Sequence, residues 1–416
     1  MKSLLILGRQ PHLGITELES LYGAAGMRII SDDAVVIDRE PETIDFNRLG
    51  GSIKLSKILT VLDTTDWRKI EDYLGTMIPE HLQYVPTGKF KLGLSTFGLS
   101  VRTDVINATG LRLKKLIKAS GRSVRIIPNN STELNSAQVL HNQLTSATGW
   151  ELVCVRDDTQ TIIALTTNEQ DINAYSRRDQ NRPKRDAKVG MLPPKLAQLI
   201  INLTNPTQDS RVLDPFCGTG VILQEAALMG LPYYGSDLDT RMVAYSAENL
   251  SWLETTHNTK HNLGVIEQGD ATTHSWTAPI GVVACETFLG KPLTSLPPRH
   301  VLDKIRAECD DIHEKFLRNL APQLAPKTRL CLAVPAWILQ QQSSYHKPQF
   351  YHLKTLDLLD KLGYTRMSFQ FSGPDQLIYY RPDQVVAREL VVLEKNSPFL
   401  PLPVSRKIFG RCSARR

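Results

Sequence analysis

Val212-Leu213-Asp214-Pro215-Phe216-Cys217-Gly218-Thr219-Gly220, continuing through Val221-Ile222-Leu223 to Tyr233-Tyr234-Gly235-Ser236-Asp237, is the stretch on which the fold is read. Val212 and Leu213 are a short apolar run that ends on an acid and enters a turn, as a strand does at its carboxyl end. After Gly220 the apolar positions Val221, Ile222, Leu223, Ala226, Ala227 and Leu228 predict a buried helix, and Gly230 supplies the stop. A second strand, Tyr233 to Ser236, finishes on Asp237, about 20 residues beyond the glycines, the offset at which a βαβ unit presents an acid to ribose hydroxyls. The unit is laid out to hold a nucleoside.

The glycines decide which one. A dinucleotide site requires a third glycine where this chain has Leu223, and no Gly-Lys-Ser/Thr follows to make a phosphate loop. The run Asp214-Pro215-Phe216-Cys217-Gly218-Thr219-Gly220 instead resembles the first motif of class I S-adenosylmethionine-dependent methyltransferases. That resemblance implies S-adenosyl-L-methionine as cofactor, with Asp214, Phe216, Gly218, Thr219 and Gly220 around its methionine portion. It also implies Asp237 on the ribose and Asp270 with Ala271 beside the adenine.

Composition sets wider bounds. With 416 residues, 41% hydrophobic and 22% charged, the chain is long enough for several domains and too apolar for wholesale disorder. Its net charge of +6 is modest, but the basic residues cluster, which points to an anionic partner rather than a membrane surface. Six scattered cysteines without a Cys-x-x-Cys pair indicate neither a zinc site nor a disulfide framework, so no metal is expected. The apolar run before Arg9 is too short for a signal sequence or a membrane span, and a cytoplasmic location is the default.

In chain order, residues 1–82 read as a small α+β, ferredoxin-like module. Its first helix carries Ile15, Leu18, Leu21 and Tyr22 on one face, a Thr16/Glu19 capping box and Gly23 as its stop. Residues 83–168 follow as strand, helix, strand, helix and hairpin, the second helix capped by Asn135 and Gln138. The helix from about Thr103 to Ser120 carries Arg112, Lys114, Lys115 and Lys118 on its polar side, with Arg122 next, a set that suits phosphates and equally a solvated face. Residues 169–195 form a basic linker that includes Arg177, Arg178 and Arg182. From 196 to 395, βα alternation predicts a doubly wound, mostly parallel sheet. It includes a long helix from about Phe350 to Leu362 and closing strands near Met367–Phe371 and Glu389–Glu394. Residues 396–416 read as a basic, flexible tail.

The order of elements in 83–168 resembles a THUMP domain, an RNA-binding module. The linker Tyr175-Ser176-Arg177-Arg178-Asp179-Gln180-Asn181-Arg182 and the run Gly190-Met191-Leu192-Pro193-Pro194-Lys195 resemble the join between THUMP and catalytic domains in tRNA guanosine-10 N2-methyltransferases. The fold so implied is an N-terminal α+β module and a THUMP domain followed by a Rossmann-type methyltransferase. The implied activity is methylation of the exocyclic N2 amine of a guanosine in tRNA; no protein partner is indicated.

One segment departs from that family. Where amine-directed methyltransferases carry Asp/Asn-Pro-Pro-Tyr/Phe, this chain has Cys285-Glu286-Thr287-Phe288-Leu289-Gly290. An exocyclic amine is a poor nucleophile, so the motif supplies oxygen acceptors for its hydrogens and a ring to stack on the base. Two readings follow. Glu286, Thr287 and Phe288 form an altered catalytic loop, in which Glu286 accepts from the amine and Phe288 stacks; or the pocket is vestigial and the protein binds tRNA without transfer, Phe288 being an ordinary core aromatic. An amine methyltransferase of another RNA or of DNA is a further alternative.

Overall fold

Strands buried along most of their length, such as Ser3–Leu7 and Val212–Asp214, gather the chain into two sheets. The computed structural model describes residues 2–186, 191–257, 264–340, 348–381 and 383–397. The first sheet is built from β1 (Ser3–Leu7), β2 (Met27–Ser31), β3 (Ala34–Ile37), β4 (Ser52–Leu62), β5 (Phe90–Phe97), β6 (Val124–Ile126), β7 (Gly149–Asp157) and β8 (Gln160–Glu169). Their order is β2-β3-β1-β4-β8-β7-β5-β6, so the strands of 1–82 and those of 83–168 share one continuous sheet, joined where β4 pairs antiparallel with β8. Helices α1 (Pro11–Tyr22), α2 (Trp67–His81), α3 (Thr103–Ala119) and α4 (Ser136–His141) cover it. Asn135 and Gln138 form the expected capping box on α4, and Gly23 and Gly121, both at positive φ, follow the ends of α1 and α3.

The second sheet contains β9 (Val212–Asp214), β10 (Tyr233–Asp237), β11 (Gly264–Gln268), β12 (Val282–Glu286), β13 (Arg329–Gln340), β15 (Tyr364–Arg366) and β17 (Val386–Lys395); β14 (Gln349–Tyr351) and β16 (Ile378–Tyr379) pair at its margin. The order β11-β10-β9-β12-β13-β17-β15 is parallel from β11 to β13 and antiparallel thereafter. This is the expected doubly wound α/β sheet, and its order reverses between β9 and β12, where such sheets open a crevice. Period-two alternation sends Val212 and Ala284 to one face, under α6 (Pro194–Leu203), α7 (Val221–Leu228) and α8 (Thr240–His257). Leu213 and Val283 go to the other, under α9 (Arg299–Leu320). Pro194 opens α6, where its missing N–H costs nothing. The remaining helix, α5 (Ile172–Gln180), lies in the linker.

Several expectations are corrected. Thr16 and Glu19 lie inside α1, which Gln10 precedes and Pro11 opens. The Thr16 hydroxyl donates to the His12 carbonyl at 2.7 Å, and the Glu19 carboxylate accepts the backbone N–H groups of Gln370 and Phe371. Phe350–Leu362 is not one helix: β14 is followed by a 3₁₀ segment, Lys354–Leu362. Leu356, Leu359 and Leu362 recur every third residue, which a 3₁₀ helix stacks on one edge. The strand expected near Met367–Phe371 is instead Tyr364–Arg366; beyond it Met367 and Phe369 pack under the α6 face and Phe371 reaches the core of the N-terminal module. Of the basic, flexible tail expected over 396–416, Asn396 is bonded to Gly363 and Thr365, and residues 398–416 lie outside the described residues, as does Gly190.

The two sheets are held together by α1 and α6. Glu17 is fully buried and accepts from the Gly50 and Gly51 N–H groups, each at 2.8 Å, and from Asn202 Nδ2 at 2.7 Å. Burial pushes its carboxyl above the ordinary range, against which those hydrogen bonds act. Gly50 sits so close to α6 that a Cβ there would lie 2.1 Å from the Lys195 carbonyl oxygen. No helix among the described residues is long and apolar enough to cross a membrane.

Candidate active site

The turn after β9 is shaped by two glycines at positive φ, Gly218 (51°) and Gly220 (82°), a conformation that side chains with a Cβ rarely adopt. Gly220 N–H bonds the Cys217 carbonyl at 2.7 Å, and Gly218 N–H donates to Asp237 Oδ2 at 2.9 Å. Asp237 Oδ1 accepts Asp239 N–H at 2.9 Å, so both oxygens of this carboxylate are oriented by backbone while the group remains half-buried. A Cβ on Gly218 would make only ordinary contact with the Phe216 carbonyl, whereas one on Gly220 would collide with Ser246.

Three acids end adjoining strands: Asp237 on β10, Asp214 on β9 and Glu286 on β12. Burial raises the Asp214 carboxyl well above the usual carboxylate range, and the charges of Asp237 and Glu286 raise it further. Burial likewise raises Asp237. Such an enclosure of carboxylates favours a cationic ligand, since a positive charge relieves both the desolvation and the mutual repulsion. Next to it, Leu238 leaves an apolar side chain 66% exposed beside the Asp237 carboxylate. Gly269 N–H bonds the Asp237 carbonyl, which brings the exposed Asp270 alongside. Its Oδ1 accepts from the backbone and hydroxyl of Thr272, bonds that hold its carboxyl low. Ala271 is buried beneath it, and Phe216 meets Phe316 edge-on at 5.0 Å.

The predicted catalytic loop divides in three. Glu286 accepts from Arg388 Nε of β17, and burial raises its carboxyl while Arg388 opposes that shift. Thr287 is turned inward: its hydroxyl lies 2.6 Å from His313 Nε2 and 3.1 Å from the Ala333 carbonyl. Buried His313, whose Nδ1 lies 2.7 Å from the Cys309 carbonyl, is pushed down to about 4 by desolvation. Phe288 is 38% exposed, which removes the core-aromatic reading.

Three site residues escaped the sequence reading: Ser246, Asn249 and Arg388. Ser246 Oγ donates to the Gly218 carbonyl at 2.8 Å. Asn249, fully buried, donates to the Thr219 carbonyl at 2.8 Å and the Lys184 carbonyl at 3.0 Å, and accepts Lys184 N–H at 2.9 Å, tying the glycine turn to the linker. The signal was available: polar residues on the buried face of α8, in step with Met242, Leu250 and Leu253. Arg388 was similarly announced by a charge within an apolar strand.

The basic residues part company. Lys115, Lys118 and Arg177 are exposed and Lys114 is half-buried. Arg112 is engaged by Glu71, and Arg122 donates to the carbonyls of Val85 and Pro86. Arg178 is enclosed, bonded to both oxygens of buried Glu225 at 2.8 and 3.3 Å. Arg182 is 3% exposed, its buried Nε and Nη2 making no hydrogen bond while Nη2 lies 3.6 Å from Asp179 Oδ1. Arg178 and Arg182 therefore keep their charges inside, because the linker packs on α7 instead of running over the surface.

Residues 181–339 match the RMKL-like methyltransferase domain family, UPF0020. A stretch of 155 residues is 30% identical to the tRNA (guanine(10)-N2)-dimethyltransferase of Methanothermobacter thermautotrophicus, covering 36% of this chain and 40% of that protein. Another of 148 residues is 32% identical to the enzyme of the same description from Pyrococcus abyssi, covering 35% and 39%. The chain thus spans about two fifths of the length of these curated relatives. Its fold resembles the crystal structure of TrmN from Thermus thermophilus, with a TM-score of 0.51 at 18% identity over 95% of this chain and all of that one. The turn, its acids and the reversed sheet order all fall within the one segment, residues 181–339, that is similar to the RMKL-like methyltransferase domain.

Proposed function

We propose that this chain is an S-adenosylmethionine-dependent methyltransferase acting on the exocyclic N2 amine of a guanosine in tRNA. The observation that carries the reading is the set of acids, Asp214, Asp237 and Glu286, at three adjoining strand ends around the glycine turn. The relatives named as tRNA guanine-N2 dimethyltransferases support the substrate class. The residues fit the cofactor: Asp237 presents a backbone-oriented carboxylate for ribose hydroxyls, Leu238, Asp270 and Ala271 adjoin it for the adenine, and Asp214, Phe216, Gly218, Thr219 and Gly220 surround the room for a cationic methionine portion. When bound, S-adenosylmethionine supplies a sulfonium methyl group to the amine and leaves as S-adenosylhomocysteine, one N–H proton being released for each N–C bond formed. The chain's own part is positional. Glu286 accepts a hydrogen bond from the amine and aims its lone pair, and Phe288 offers a ring to the extruded base.

We assign tRNA docking to the first sheet, its 83–168 part acting as a THUMP-type module, with Lys114, Lys115, Lys118 and Arg177 facing phosphates. The boundaries proposed are 1–82, 83–168, the linker 169–195 and the catalytic part 196–395. A tRNA substrate and the five buried free cysteines of the described residues suit the cytoplasm.

The test is incubation with tRNA and methyl-labelled cofactor, followed by mass spectrometry of the nucleosides. N2-methylated guanosine is expected. Cofactor binding by calorimetry with no transfer to any base would instead support RNA binding with a vestigial pocket, and methyl on another base would reassign the substrate.

A further inference from the structure

Glu286 and Arg388 come from strands remote in sequence. β12 and β17 both pair with β13, where Glu286 lies opposite Ala333 and Arg388 opposite Pro335. Both side chains fall on the α6 face, two residues beyond Ala284 and two before Leu390. Their pair is mostly enclosed, with side chains 16% and 8% exposed. Arg388 uses Nε on Glu286 Oε1. Among the described residues, Glu286 Oε2 and the two terminal nitrogens of Arg388 have no partner, and none of these atoms is a buried orphan. An enclosed ion pair contributes little stability beyond what packed apolar side chains would, so packing alone does not account for it. Beside it, Tyr379, the cross-strand neighbour of Arg388, lines a cleft of about 570 Å³ together with Arg9, Lys195 and Arg381.

We infer that Arg388 is a specificity-determining residue: its terminal N–H groups donate to guanine O6 while Glu286 accepts from N1–H and the N2 amine. This rests on the guanosine reading above. The Watson–Crick edge of guanine runs acceptor, donor, donor; a guanidinium locked beside a carboxylate presents donor and acceptor in the complementary order. Adenine, with a donor amine next to an acceptor N1, pairs with fewer of these groups. A site with enclosed polar groups rejects a base that leaves them unpaired. The missing Pro-Pro-Tyr is offset, on this account, by an arginine contributed from β17.

The test uses the full chain and two tRNA transcripts, one natural and one with the accepting guanosine replaced by 2-aminopurine riboside, which keeps the amine but has no O6 and no N1–H. The wild type is expected to transfer methyl to guanosine about 100-fold faster or more in single turnover. Arg388→Met should lower the guanosine rate at least about 10-fold while changing the 2-aminopurine rate much less, as expected for one hydrogen bond from a charged donor. Arg388→Lys should restore part of the preference. Without cofactor, competition between the two transcripts for the protein should show the same preference, lost in Arg388→Met. An equal fall on both transcripts, or a wild type indifferent to the analogue, overturns the inference and leaves guanosine methylation standing. Absence of transfer to guanosine by the wild type overturns both. If melting shows that Arg388→Met does not fold, a 6-thioguanosine transcript with the wild type decides, an undiminished rate being the refuting result.

Discussion

Replacing Asn249 by Ala should loosen the glycine turn by removing a side chain that holds the Thr219 carbonyl from behind. The side chain makes three hydrogen bonds, to the Thr219 carbonyl, the Lys184 carbonyl and the Lys184 N–H, in a place with no solvent exposure. Each is worth about 1 kcal/mol net, so the deletion should cost roughly 2–4 kcal/mol, less whatever water recovers in the vacated space. Asn249→Asp should be worse at neutral pH, because a carboxylate oxygen then faces two carbonyl oxygens where an N–H₂ had donated to both. In a chain of several cores, a single unfolding free energy is ill defined, so the effect is best read locally, by hydrogen exchange at the Lys184, Gly218 and Gly220 amides. Since Thr219 belongs to the turn proposed to hold the cofactor, S-adenosylmethionine affinity by calorimetry should weaken about 10-fold or more, the equivalent of about 1.4 kcal/mol. Unchanged exchange in Asn249→Ala, or an Asp variant as well ordered as the Ala variant, would refute the reasoning that this amide fastens the turn to the linker.

Protonation of His313 should destabilise the fold. Its pKa is pushed down to about 4 from an ordinary 6.5, so the unfolded chain binds the extra proton first. Stability is full above pH 6.5 and falls as pH drops toward 4, by about 3 kcal/mol at most; a His313→Gln variant should lose that part of the acid sensitivity in pH-dependent melting. Gly50→Ala places a Cβ 2.1 Å from the Lys195 carbonyl and should cost about 1–3 kcal/mol by pushing the loop before β4 away from α6, measured as faster limited proteolysis of the linker. Replacing Lys114, Lys115 and Lys118 together by Gln should flatten the salt dependence of tRNA binding by roughly 0.7–0.9 in slope for each phosphate no longer neutralised, whereas an unchanged slope would free α3 from the RNA surface.

Near in sequence and near in space coincide at the glycine turn, which is why it was legible. Asp214, Gly218, Gly220 and Asp237 belong to one βαβ unit, whose geometry follows from local chain stiffness, the φ preferences of glycine and the alternation of apolar residues. The doubly wound sheet followed from the same local patterns repeated. What the residues alone did not reveal was produced by contacts between distant segments. Nothing local distinguishes Lys115, which is exposed, from Arg178, which is buried on Glu225, because both are cations on amphipathic helices and only the packing of α5 and α7 decides. Thr16 and Glu19 have the spacing of a cap, yet Pro11 began the helix earlier and Glu19 was left to bind backbone 351 residues away. The joining of the first two modules into one sheet depends on β4 meeting β8 across about a hundred residues, a pairing no periodicity encodes. Glu286 was identified from its place after an apolar strand, but its partner Arg388 lies 102 residues on. The sheet brings the two together only through β13, because hydrogen-bonded register, not sequence distance, sets which strand ends share a crevice.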